Sequence, residues 1–158
     1  MKSQIILCSG GARSGKSEFA ERLALATEGR KAYVATGQAF DDEMVDRIKK
    51  HQERRGNIWT NFEIPLYLAE EWQHISSVAD VILIDCLTMF TTNHMMAHGS
   101  IQGQQDANRL EDTVLSELEA LLNLIKVSDD KIVIFVTNEI GLGIVPDNKL
   151  ARYFRDIA

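Results

Sequence analysis

Gly10-Gly11-Ala12-Arg13-Ser14-Gly15-Lys16-Ser17 decides the reading of the fold, because the run satisfies G-x-x-x-x-G-K-[ST] in full. The glycines permit a tight turn and let successive backbone N–H groups converge on one anion. A short apolar run, Gln4 to Cys8, leads into it. Ser17 to Thr27 leads out, with Phe19, Ala20, Leu23 and Ala24 at helical spacing. Strand, loop, helix is the order that aims the positive end of a helix at a phosphate. In that setting Lys16 reaches the β- and γ-phosphates of a nucleoside triphosphate, and the Ser17 hydroxyl reaches Mg²⁺.

Outward from this loop, Val81 to Ile84 and Ile132 to Val136 are further apolar runs, and Ala32 to Ala35 is a weaker one. With Gln4 to Cys8 they read as buried parallel strands. Between them, Asp41 and Asp42 cap a helix expected through Arg54, with Met44 and Ile48 on one face. Asp106 to Val127 reads as the longest helix, and His94 to Gln105, which lacks periodicity, as an exposed loop. Alternating strands and helices give an α/β domain with a mainly parallel central sheet and right-handed crossovers.

The 158 residues fit one domain spanning 1–158. A net charge of −6 excludes a broad basic surface for polymeric nucleic acid, but not a small anion held by backbone dipoles. Cys8 and Cys86 lie in apolar runs and read as buried, reduced thiols. No metal-ligand spacing joins them to His51, His74, His94 or His98. The N-terminal apolar run is too short for a signal peptide, and no segment approaches a membrane span, so the expected location is the cytoplasm.

Ligand-facing residues are sought where strands end, since the carboxyl edge of an open α/β sheet lines its crevice. Asp85 closes Val81 to Ile84 and is placed to meet a metal or a hydroxyl. Thr137-Asn138-Glu139 and Thr36-Gly37-Gln38 open on the same edge. His51 lies on the Met44/Ile48 face, within Lys49-Lys50-His51-Gln52-Glu53-Arg54-Arg55. By themselves these residues fit a half-buried helix histidine beside solvated charges.

Taken together, the motifs resemble the bifunctional adenosylcobinamide kinase/adenosylcobinamide-phosphate guanylyltransferase family of cobalamin assembly. The Gly10-to-Ser17 loop resembles the family's version, as do Asp41-Asp42-Glu43-Met44, Arg47-Ile48 and His51. Trp59-Thr60 with Glu63 is similar to the segment after the family's histidine. Val136-Thr137-Asn138-Glu139 with Gly141, Gly143, Val145-Pro146 and Leu150-Ala151-Arg152 resembles the segment after its late strand. The resemblance implies a P-loop NTPase-like three-layer sandwich and a homotrimer. It implies His51 as the residue that becomes guanylylated, with Lys16 as the second catalytic residue. Nucleotide contacts are implied at Gly10, Gly11, Ala12, Arg13, Ser14, Gly15, Lys16 and Ser17, and at Ala35, Thr36 and Gly37. Others are implied at Gln52, Glu53, Arg54, Arg55, Glu63 and Asp85, with Ser17 and Asp85 also on Mg²⁺. The substrates implied are GTP, ATP and a corrinoid, adenosylcobinamide.

Two activities are thus expected: phosphorylation of adenosylcobinamide, then transfer of GMP from GTP to its phosphate. A neutral imidazole attacks the α-phosphorus of GTP and expels pyrophosphate, so activity should fall below the pKa of His51. Arg55-Gly56 departs from the family's usual Arg-Pro. Asp85 stands where some relatives carry glutamate. The chain stops at Ala158, inside an expected Val145-to-Ala158 helix, ahead of the family's last helix and strand. A P-loop small-molecule kinase, or a GTP-binding protein without the nucleotidyl step, stays open at this point. The lack of N-K-x-D counts against a GTPase switch.

Overall fold

The computed structural model describes residues 1–38, 45, 49, 53 and 55–158. Five strands run in chain order as β1 (Gln4–Gly10), β2 (Lys31–Ala35), β3 (Trp59–Glu63), β4 (Val81–Asp85) and β5 (Ile132–Asn138). They form one sheet in the order β1-β5-β4-β2-β3, every pairing parallel. The described helices are α1 (Lys16–Ala26), α2 (Leu68–Val78), α3 (Leu87–His98), α4 (Gln104–Val127) and α5 (Lys149–Ile157). A 3₁₀ turn, Gly56–Ile58, leads into β3.

Strand position explains strand composition. β4 lies between β5 and β2, and Val81, Ile82, Leu83 and Ile84 are all buried, so both faces must be apolar. Alternation then sorts the sheet into two cores. Tyr33, Trp59, Val81, Leu83, Ile134, Val136 and Cys8 pack with Ala20 and Ala24 of α1. Ala32, Val34, Ile82, Ile84, Val133 and Phe135 pack with Leu68, Trp72 and Ile75 of α2, Phe90 of α3 and Leu110 of α4. Helices therefore cover both faces, which gives the expected three layers.

Three expectations change, and one strand is unanticipated. β1 is an edge strand rather than a fully buried one: Ile5 and Leu7 are exposed while Cys8 is buried. β3 is a strand that the sequence hides, because Thr60, Asn61 and Glu63 on this outer edge face solvent and leave no apolar run. His94 to Gln105 is mostly helical. α3 continues to His98, Gly99 ends it at φ 85°, and α4 starts at Gln104. At that start the Gln102 N–H donates to Asp106 Oδ2 at 2.9 Å. The last helix begins at Lys149 rather than Val145, because Asn148 caps it by accepting from the Ala151 N–H at 3.1 Å. The helix expected from Asp41 to Arg54 lies outside the described residues, apart from Val45, Lys49 and Glu53, which are helical.

Candidate nucleotide site at the carboxyl edge of the sheet

β1 ends at Gly10, and the chain turns through Gly11 to Gly15 into α1. At Gly10 a Cβ would lie 2.7 Å from Ser14 Oγ, so a side chain there would displace the Ser14 hydroxyl. Gly15 adopts φ 82°, a left-handed conformation that costs glycine little, and it caps α1 without any side-chain hydrogen bond. The N-cap thus offers the first N–H groups of α1 no side-chain acceptor, as an anion site at a helix N-terminus requires. Arg13 holds φ 58°, and Lys16 Nζ donates to Gly11 O at 3.1 Å, folding the ammonium back over the loop. Lys16 and Ser17 are half-buried in the first turn, while Ala12, Arg13 and Ser14 are exposed.

The other strand ends converge on the same edge. Glu63, Ala35, Asp85 and Val136 occupy one register row across β3, β2, β4 and β5. Asp85 shares its strand face with Val81 and Leu83, hence the α1 side of the sheet. Helix α1 itself packs against β1, β5 and β4. The Glu139 N–H donates to Gly10 O at 2.9 Å, which seats the Thr137-Asn138-Glu139 turn beside the base of the loop.

Thr36 is fully buried, and its hydroxyl is already engaged. Thr36 Oγ1 donates to Cys86 O at 2.6 Å and accepts from the Cys86 N–H at 2.8 Å, stapling the end of β2 to the end of β4. Its carbonyl accepts from Asn93 Nδ2 at 2.6 Å, and the same amide reaches Pro65 O at 3.0 Å. Cys86 Sγ accepts from the Met89 N–H, capping α3. Burial pushes the thiols of both Cys86 and Cys8 upward, so each stays protonated at neutral pH and neither is an activated nucleophile.

Arg55 points inward. Its guanidinium carbon lies 3.3 Å from the centroid of the Tyr33 ring, Nη1 donates to Asn61 Oδ1 at 3.0 Å, and Nε stands 3.7 Å from Glu21 Oε1 of α1. Tyr33 in turn donates to Asp85 Oδ2 at 2.8 Å and meets Trp59 edge to face at 5.9 Å. Sequence reasoning missed Tyr33 and Glu21. The signal for Tyr33 was its spacing, since i and i+2 in β2 put it on the Ala35 face and so on the face of Asp85.

The structure thus gathers the loop from Gly10 to Ser17, Ala35, Thr36, Gly37, Glu63 and Asp85 along the carboxyl edge of the sheet, with the Arg55 guanidinium over the Tyr33 ring. His51, Gln52 and Arg54 lie outside the described residues, and Glu53 is helical. No cluster of three or more His, Cys, Asp or Glu side chains forms a metal centre among the described residues. Ser17 and Asp85 supply oxygen donors only, the chemistry suited to a hard cation that keeps its waters and its phosphate ligands.

A solved ATPase of the type III secretion system of pathogenic bacteria shares the fold at a TM-score of 0.59 and 13% identity, covering 98% of this chain and 49% of that one. Among curated proteins, the bifunctional adenosylcobalamin biosynthesis protein CobU of Escherichia coli is 37% identical, over 98% of this chain and 85% of its own length. CobU of Salmonella typhimurium is 39% identical over the same shares. CobP of Pseudomonas aeruginosa is 40% identical over 96% of this chain and 81% of its own. The family model described as cobinamide kinase / cobinamide phosphate guanyltransferase matches residues 6–158, and with these relatives it establishes that the chain belongs to that family.

Proposed function

We propose that the protein carries out both family reactions: it phosphorylates adenosylcobinamide with ATP or GTP, then transfers GMP from GTP to the product, giving adenosine-GDP-cobinamide. The observation that carries this reading is the uncapped, glycine-turned N-terminus of α1, with Lys16 folded over it and Asp85 on the α1 face of the sheet. In the kinase step the substrate's aminopropanol hydroxyl attacks the γ-phosphorus, and the bond to the β-phosphate oxygen breaks. Lys16 and the loop N–H groups neutralise charge on the transferring group, and positioning does the rest. Ser17 and Asp85 are the residues that would hold Mg²⁺, which when bound adds charge neutralisation at the phosphates.

In the transfer step His51 acts as nucleophile. An unprotonated ring nitrogen forms a bond to the α-phosphorus of GTP while the bond to the pyrophosphate oxygen breaks. The phosphate of adenosylcobinamide phosphate then attacks that phosphorus and restores the imidazole. Attack requires the unprotonated ring, so transfer should decline as acid protonates it. By the same resemblance we assign nucleotide contacts to Glu53, Gln52 and Glu63, a homotrimeric assembly and a cytoplasmic location.

The test is covalent capture. With GTP labelled at the α-phosphate, denatured wild-type protein should retain acid-labile, base-stable label, and His51→Ala should retain none while still phosphorylating adenosylcobinamide. A folded wild-type protein that keeps no label would leave a small-molecule kinase or a non-catalytic GTP-binding protein.

A further inference from the structure

Asp85 is held by a phenol that belongs to no phosphate-binding motif. Tyr33 is 6% exposed, and its hydroxyl has one described partner, Asp85 Oδ2, at 2.8 Å. A hydrogen bond to an ionised carboxylate is among the stronger ones in a protein and is directional. The ring cannot drift: Arg55 covers one face at 3.3 Å, and Trp59 meets it edge to face. Arg55 is itself fixed by Asn61 on β3 and by the ion pair with Glu21 on α1. The cation on the ring face draws electron density from the phenol and makes its O–H a better donor.

We propose that Tyr33 is a positioning residue for Asp85: by occupying Oδ2 it fixes the carboxylate plane and leaves Oδ1 free on the α1 side of the sheet, where Ser17 and Asp85 would hold the nucleotide's metal. Arg55 serves this lock from behind, as a clamp on the ring. The inference rests on the proposed role of Asp85 at the metal, and it adds a residue whose action is on the carboxylate, not on the phosphates.

Tyr33→Phe keeps the ring, its Arg55 cover and its Trp59 contact, and removes only the donor. Two quantities are read on the full chain with GTP: nucleotide affinity without divalent metal, and Mn²⁺ affinity of the protein–GTP complex by electron paramagnetic resonance. The expected result is GTP affinity within about twofold of wild type and Mn²⁺ affinity lower by about tenfold, the scale of one hydrogen bond to a charged group. In an Asp85→Asn background the Tyr33→Phe effect on Mn²⁺ should vanish.

If Tyr33→Phe does not fold, p-aminophenylalanine and p-methylphenylalanine at position 33 carry the comparison. Both fill the hydroxyl's volume, but only the amine donates, and only it should hold Mn²⁺ near the wild-type level. Equal Mn²⁺ affinity in wild type and donor-less variants overturns the positioning role while leaving Asp85 at the metal. Loss that persists unchanged with Asp85→Asn also overturns it. A wild-type GTP complex in which Asp85→Asn does not alter Mn²⁺ binding overturns the metal reading and the inference together.

Discussion

The two ends of the sheet are built on opposite terms. At the amino ends of the strands, side chains tie neighbouring elements together: Asp80 accepts from Arg30 through the backbone N–H, Nε and Nη2, and Lys131 Nζ reaches both Asp80 Oδ1 and Ala79 O. Ser3 Oγ, between Ser128 O and the Lys131 N–H, ties down the start of β1. At the carboxyl ends, α1 starts without a side-chain cap, Arg13 and Gly15 sit at positive φ, and the one hydrogen bond that Lys16 Nζ makes among the described residues is to its own loop. Bonds left unmade at the loop among the described residues are available to a ligand, and the other end supplies the stability that this requires. Substitutions should therefore separate activity from stability by edge.

The largest separation is expected at Lys16. Lys16→Ala removes a charge that acts on the phosphates but gives up only one half-exposed bond in the free protein. Steady-state kinetics should register a fall of about 10²- to 10³-fold in phosphoryl transfer, roughly 3–4 kcal/mol of transition-state stabilisation. Urea unfolding should place the variant within about 0.5 kcal/mol of wild type. A large stability loss would mean that the loop is structural and would erase the contrast between the edges.

Thr36 sharpens the comparison because it lies on the carboxyl edge yet bonds like a residue of the other one. Thr36→Val keeps the shape but takes the acceptor from the Cys86 N–H in a buried setting, while the Cys86 carbonyl keeps only the Phe90 N–H. A cost of about 2–3 kcal/mol in unfolding free energy is expected. Catalysis should suffer as well, since the staple sets the spacing between the ends of β2 and β4, where Ala35 and Asp85 stand.

How much of this was legible follows the same division. The Gly10-to-Ser17 loop could be read because its physics is local, a turn and a helix start within one run of residues. The strands under it could be read where the chain is apolar on both faces, as in β4. β3 was hidden because an edge strand with Thr60, Asn61 and Glu63 outward carries no hydrophobic signature. The end of α3, His94 to His98, was read as loop and its start was not read at all, for the reverse reason: Thr88, Thr91, Asn93 and His94 are polar yet buried, so polarity there reports partners rather than solvent. Asn93 bridges Thr36 O and Pro65 O, two residues that only the tertiary fold brings together. The Tyr33–Asp85 bond joins residues 52 positions apart, and a single sequence carries no trace of such a pair.

Asp80 gives the smallest effect and the most specific one. The Arg30 hydrogen bonds hold its carboxyl well below the usual carboxylate range, with Lys131 adding to the effect. The shift is downward, so the native state prefers the ionised form, and the stabilisation is present in full above the unfolded value near 3.8. It is lost as pH falls below that value toward the folded one, where native and unfolded states both take up the proton. Arg30 is more than half exposed and Asp80 about one-third, so solvent screens the pair and Asp80→Asn should cost only about 1 kcal/mol at neutral pH. Chemical denaturation as a function of pH should find that difference constant from about pH 5 to 8 and shrinking below about pH 4. Activity per folded molecule should not change, because the substitution touches only the amino edge. A variant that kept full stability but lost turnover would show that the two ends of the sheet are energetically coupled, and that their division of labour does not hold.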